Sequence, residues 1–180
     1  MGASANLDRA AIVTAAFEVL GTAGLDGLSL RRVADQLGVQ APALYWHVSN
    51  KAELVSLMAT TLSQTPAPGD LQGNTWREKL MQSARVRRRA MLKLRDSARV
   101  CVVALPPGSA SAVRPQLTAC LLEAGLTTRQ ALSYQAAVGA YTVGWVAYEQ
   151  SRIPYAFLTQ PDDVEESFEA GLRAMVNGFA

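Results

Sequence analysis

Apolar residues recur along this chain at three- and four-residue spacing, and no stretch shows the sustained two-residue alternation of a half-buried strand. The pattern predicts an all-α fold. Ile12, Val13, Ala16, Phe17 and Leu20 form the inner face of a first helix, with Asp8 as its cap, Leu7 and Ile12 as a hydrophobic staple, and Gly21 and Gly24 as its end. Ser29 is placed to cap a short second helix whose inner face is Val33, Ala34 and Leu37 and whose stop is Gly38. After a tight turn, Pro42 suits the first turn of a third helix with Leu44 and Val48 inside. Asn50 and Glu53 have capping-box spacing before a fourth helix carrying Leu54, Leu57, Met58 and Leu62.

Pro66, Pro68, Gly69, Gly73 and Asn74 are the clearest punctuation in the chain, so the expected organisation is a head at 1–65, a linker at 66–74 and a body at 75–180. In the body, Thr75 and Glu78 open a long helix to about Leu94, and Asp96 is placed to cap a shorter one ending before Pro106 and Pro107. Another helix is expected from Ser111 to Ala124. Thr127 and Gln130 open a long helix to Gln150, and Asp162 with Glu165 opens the last, whose stripe is Phe168, Leu172, Met175, Val176 and Phe179.

With 49% hydrophobic residues among 180, the chain has enough apolar surface for a full core, which argues against disorder. The most apolar stretch, 136–148, is shorter than the roughly 20 residues of a bilayer span, so no membrane association is expected. Cys101 and Cys120 lie in apolar stretches and no secretory signal precedes them, which points to a reducing cytoplasm. The net charge of +2 is nearly neutral, and in the first third Arg9, Arg31, Arg32 and Lys51 are offset by Asp8, Glu18, Asp26, Asp35 and Glu53. Such a segment is no general polycation, so any DNA binding must come from placement. No nucleophile setting, glycine-rich phosphate loop or multi-histidine metal site is present, since His47 is the single histidine; neither an enzyme nor a resident cofactor is expected.

Two short helices joined by a tight turn, 29–37 and about 42–48, have the spacing of a helix-turn-helix. The second carries Tyr45, Trp46 and His47 on its outward side, and aromatics of that size on a short helix call for a partner. The two readings are a DNA groove and a core contact between helices.

The run GLDGLSLRRVADQLGVQAPALYWHVSNKAELV, residues 24–55, resembles the tetracycline-repressor (TetR) family, and APALYWHVSNK is especially close to that family's recognition helix and the cap after it. The similarity continues through RRRAMLKLRDSARV and ALSYQAAVGAYTVGW, so it covers most of the chain. It implies a DNA-binding head joined by a fourth helix to a ligand-binding, dimerising body. Arg31, Gln40, Ala41, Pro42, Ala43, Tyr45, Trp46, His47 and Lys51 match the family's DNA-contacting positions, with Ser29 and Arg32 beside them. Their chemistry agrees: Arg31 suits guanine, Gln40 adenine, Pro42 and Ala43 thymine methyls, and Tyr45, His47 and Lys51 phosphates. Ala41 and Ala43 replace hydrogen-bonding readers, so the operator should differ from the tetracycline operators.

For the body, the resemblance implies a ligand cavity formed by Arg87, Cys101, Ala104, Leu105, Leu117, Tyr141, Trp145 and Tyr148. Cys101 and Tyr148 stand where magnesium-dependent relatives carry a histidine and a glutamate, and a hard cation gains little from either. A mostly hydrophobic inducer bound without metal is therefore expected, with Arg87 meeting either an anionic ligand or an acidic residue of the chain. The helices at 128–150 and 163–179 would form the dimer interface, through small residues at Ala136, Ala140, Gly144 and Ala147 and the apolar Phe168, Leu172 and Met175. The overall expectation is a homodimeric repressor on a palindromic operator, released by a small molecule. A metal-dependent tetracycline-type sensor and an activator on the same fold are the alternatives.

Overall fold

The computed structural model describes residues 7–64, 71–104, 114–151 and 161–180, without the side chains of residues 161–162. The described residues form helices and connecting turns, with no strand among them. The head holds α1 (Arg9–Gly27), α2 (Leu30–Leu37), α3 (Ala41–Tyr45) and α4 (Lys51–Ser63); the body holds α5 (Trp76–Leu92), α6 (Ser97–Ala104), α7 (Pro115–Glu123), α8 (Thr128–Gln150) and α9 (Pro161–Asn177). Leu105 and residues 111–113 of the expected 111–124 helix lie outside the described residues.

Local capping chemistry accounts for most boundaries. The Asp8 carboxylate accepts from Ala11 N–H at 2.8 Å, and the Ser29 hydroxyl accepts from Arg32 N–H at 3.3 Å. Gly38 closes α2 in the left-handed conformation (φ 68°) that a side chain would resist. Thr75 with Glu78, and Thr127 with Gln130, form reciprocal capping boxes. The box expected at Asn50 is only half made. Asn50 Oδ1 accepts from Glu53 N–H at 2.9 Å, but the Glu53 carboxylate turns to the Ser49 N–H at 2.8 Å and hydroxyl at 2.6 Å. Those bonds, the hydroxyl's foremost, hold the Glu53 carboxyl below its ordinary value.

Three expected boundaries differ. α1 runs through Gly21 and kinks at Gly24 (φ 69°, ψ 176°) before ending at Gly27. Asp96 does not cap α6; it sits at φ 55° and sends its carboxylate across the molecule to accept the Leu25 N–H at 2.8 Å. Asp162 is already inside α9, which takes in Pro161, so it is not that helix's cap.

Ile12, Ala16 and Leu20 of α1 pack with Val33 of α2, Leu44 of α3 and Leu54 and Met58 of α4 in one apolar cluster, which continues through Met91, Ala98 and Val100 into the body. By length and composition α1 could cross a membrane, but these buried positions make it a core helix of the head. A second cluster joins Leu80 and Ala84 of α5 to Leu117 and Leu121 of α7, Val138 of α8 and Phe168, Leu172 and Val176 of α9. Phe168 and Leu172, expected at a dimer face, are fully enclosed within the chain.

The Asp96–Leu25 bond generates a stability prediction. Asp96→Ala removes an acceptor from a part-buried N–H and places a residue that disfavours positive φ at this position, and should cost about 1–3 kcal/mol in urea unfolding. Asp96→Asn, which tolerates the conformation and keeps an acceptor, should lose less than half as much. Equal losses would show that the carboxylate's charge, rather than conformation and hydrogen bonding, sets the cost.

Candidate nucleic-acid interface and ligand cavity

α3 is held by one apolar anchor. Leu44 is its only fully buried residue, a contribution of about 1.5–3 kcal/mol, and it fixes which side of this short helix faces out. The outer side presents Tyr45 at 57% exposure and Trp46 at 89%, beside exposed Arg31, Gln40 and Pro42; Ala41, Ala43 and His47 are half-buried at its margin. The core-contact reading of the aromatics is therefore excluded. Arg9 steadies the turn after α3, donating to the His47 carbonyl at 3.2 Å and to Glu53 at 3.4 Å.

Two of the expected contact residues are engaged inside the head. Lys51 Nζ donates to the Leu25 carbonyl at 2.8 Å, and Arg32 donates to the Gly27 carbonyl at 3.2 Å. Ser29 is half-buried as the α2 cap.

The end of α1 is gripped by the segment leading into α6. Besides Asp96 on Leu25, Arg95 donates to the Thr22 carbonyl at 3.1 Å, and Arg99 makes a bidentate pair with Asp26 at 2.9 and 3.2 Å. A Cβ on Gly24 would lie 2.9 Å from the Asp96 carboxylate, so only glycine fits this approach.

Within the body, the structure brings together only part of the expected ligand set. Arg87 and Leu117 line a cavity whose other walls include Ser83, Arg114, Gln135 and Thr142. Its volume is about 20 Å³, room for roughly one water or small ion. Cys101 reaches it indirectly, through a long contact of 3.9 Å with Arg87. Tyr141, Trp145 and Tyr148 lie elsewhere: they stack along α8, with Tyr141 and Trp145 against Phe168, and Tyr141 donates to the Phe168 carbonyl at 2.9 Å. Ala104 borders an open groove between α6 and the start of α4.

This small cavity is polar where the expected ligand set is mainly apolar. Two guanidinium groups, an amide and hydroxyls face this space, and no lining residue is acidic. The site does not fit a magnesium chelate either, since a divalent cation would meet the Arg87 guanidinium and a thiol that burial holds protonated, against the opposing pull of Arg87. Ser83, Arg114, Gln135 and Thr142 were missed by sequence reasoning. Ser83 and Arg87 share one face of α5 at i,i+4, as Gln135 and Thr142 share one of α8 at i,i+7; polar residues inside otherwise apolar stripes were the available signal.

The two neighbouring arginines have opposite surroundings. Arg88, almost enclosed, pairs with Glu149 at 2.7 and 2.9 Å and with Glu165, and lies over the Phe168 ring at 4.6 Å. Arg87 has no carboxylate partner among the described residues.

The outward side of α8 exposes Leu132, Ala136, Ala140 and Gly144, while Ala147 is half-buried; α9 exposes Ala170 and Ala174. Met175 is only half-buried, against the second cluster.

The described residues are helical and present a turn-linked short helix with exposed aromatics and basic groups, the arrangement of a helix-turn-helix. Residues 12–58 match the signature described as "Bacterial regulatory proteins, tetR family", and residues 66–156 match the "Tetracyclin repressor-like, C-terminal domain". The class D tetracycline repressor protein of Escherichia coli is 32% identical, with 97% of this chain and 90% of that protein covered. Among solved structures, the TetR-Q116A protein of Acinetobacter baumannii in complex with minocycline is 30% identical with a TM-score of 0.76, covering 97% of each chain. BioQ with its double-stranded DNA operator is 29% identical with a TM-score of 0.70, covering 97% of this chain and 99% of that one. The chain belongs to the tetR family of bacterial transcriptional regulators.

Arg88 yields the prediction for this site. Arg88→Met leaves Glu149 largely enclosed without its cation and should lower stability by about 3–5 kcal/mol in chemical denaturation. A loss below 1 kcal/mol would mean that the ion pair network is dispensable to the fold.

Proposed function

We propose that this protein is a repressor that binds a two-fold symmetric operator as a homodimer and releases it when a small molecule occupies the body. The observation that carries the reading is the outer face of α3, where Tyr45 and Trp46 stand in solvent above a buried Leu44. A protein rarely leaves aromatics so exposed unless a partner covers them. Arg31 and Gln40 beside them supply donors for base edges, and Tyr45 and His47 supply phosphate contacts.

Dimerisation supplies the second recognition helix. It is supported by the small-residue stripes exposed on α8 and α9, which let a second copy approach closely. Two α3 helices about 34 Å apart would enter successive major grooves of one DNA face.

Release requires a ligand that distinguishes two head positions. α6 is the element suited to transmit it: Cys101 on one of its faces touches Arg87 at the cavity, while Arg95, Asp96 and Arg99, at or before its start, hold α1. A displacement of α6 by a ligand would reach the head through those bonds.

Selection of binding sites from a random duplex library tests the reading. It should return an inverted repeat, and Tyr45→Ala should bind the selected site about 1–3 kcal/mol more weakly with unchanged thermal unfolding. Recovery of no preferred sequence, or parent-like affinity of the variant, would remove α3 as the reading element. In sedimentation the parent should be a dimer at micromolar concentration, and a monomer throughout would remove the basis for a symmetric operator.

A further inference from the structure

We propose that the cavity between α5, α7 and α8 is an anion subsite, and that the inducer carries a carboxylate which Arg87 binds. The inference rests on the ligand-responsive reading above and names the chemical class of that ligand.

Arg87 is only 7% exposed, and its Nε is fully enclosed without a hydrogen-bond acceptor. Among the described residues its hydrogen-bond partner is the Cys101 thiol at 3.9 Å, a weak acceptor that carries no neutralising charge. A second guanidinium, Arg114, lines the same space with its Nε donating to the Ser63 carbonyl at 2.9 Å. Burial, with a smaller contribution from the charge of Arg87, draws Arg114 down to about 10, so that group remains cationic at neutral pH. A buried cation without a counter-ion is costly, and a fold retains one where something arrives to neutralise it.

The surroundings select the shape of that anion. Ser83, Gln135 and Thr142 line the cavity with polar groups, yet their own atoms are largely satisfied. The Ser83 hydroxyl donates to the Leu80 carbonyl at 2.8 Å, Thr142 to the Val138 carbonyl at 2.8 Å, and Gln135 spans the Arg114 N–H and the Thr118 hydroxyl. Unused donor capacity is thus concentrated on Arg87, whose planar fork suits a carboxylate. Leu80, Leu117 and Val138 supply the apolar wall, and the volume admits the carboxylate end of a ligand and no more.

The test uses purified protein without DNA, in low-chloride buffer, with formate titrated against formamide and with chloride as the inorganic arm, all by calorimetry. Formate should bind at least about tenfold more tightly than formamide, and that ratio should fall to near one in Arg87→Met and in Arg87→Gln. Removing the uncompensated charge should also raise the melting temperature of Arg87→Met in the absence of anion, where a purely structural arginine would lower it. Equal binding of formate and formamide, an undiminished ratio in both variants, or no formate binding at tens of millimolar would overturn the subsite. Chloride binding without formate binding would assign the cavity to an inorganic ion and overturn the carboxylate. Operator release is scored separately. Arg87-dependent formate binding that leaves operator affinity unchanged would support the subsite and count against the ligand-responsive reading; release by formamide alone would do the reverse.

Discussion

The carboxylate of Asp96 accepting the Leu25 N–H is the contact on which the relation between head and body depends. It forms where α1 kinks, and the kink exists because Gly24 takes a positive φ that frees the following N–H from the helix. Asp96 holds a positive φ of its own to reach it. Two residues in uncommon backbone conformations thus meet across the molecule, and Arg95 and Arg99 fasten carbonyl and carboxylate groups on either side. Without this clamp α4 and α6 would still share apolar contacts, but the end of α1 would lose its polar ties to the body among the described residues.

The clamp gives the distribution of charge a mechanical meaning. On the head, Arg9 and Lys51 are used to brace turns as well as to supply positive potential, which is why a nearly balanced segment can still present a defined binding face. In the body, Arg85 and Arg88 are consumed by Glu169 and by Glu149 with Glu165, tying α5 to α8 and α9. Arg87, one residue before Arg88, faces the cavity and has no such partner among the described residues. A close approach at Gly171, where any side chain would collide with Tyr141, keeps α9 tight against α8 and leaves the small-residue faces outward.

How much of this was legible in the sequence follows from the range of each interaction. Asp8, Ser29, Gly38, Thr75 and Thr127 were readable as caps because a cap acts within three or four residues of itself. Asp96 has the same local appearance, yet its partner is 71 residues away, so spacing alone misassigned it. The outward face of α3 was legible because Leu44 and Val48 are the only apolar anchors near it. The contacts of the α8 aromatics were not: Tyr141 and Trp145 stack against Phe168, and periodicity does not say which of two neighbouring helices an apolar stripe meets. For the same reason Phe168 and Leu172 read as a dimer face when they close the chain's own core. Nor could the pairing of Arg88 and the isolation of Arg87 be separated without knowing where Glu149 and Glu165 stand.

The central claim is that α6 couples the cavity to the head through the clamp on α1, and coupling between two sites acts in both directions. Amide hydrogen exchange with and without a selected operator duplex tests it without knowledge of the inducer. The account predicts that operator binding changes protection at the Leu25 amide and along residues 97–104 as well as in α2 and α3. Changes confined to residues 28–51, with α6 indistinguishable between the free and bound protein, would contradict it.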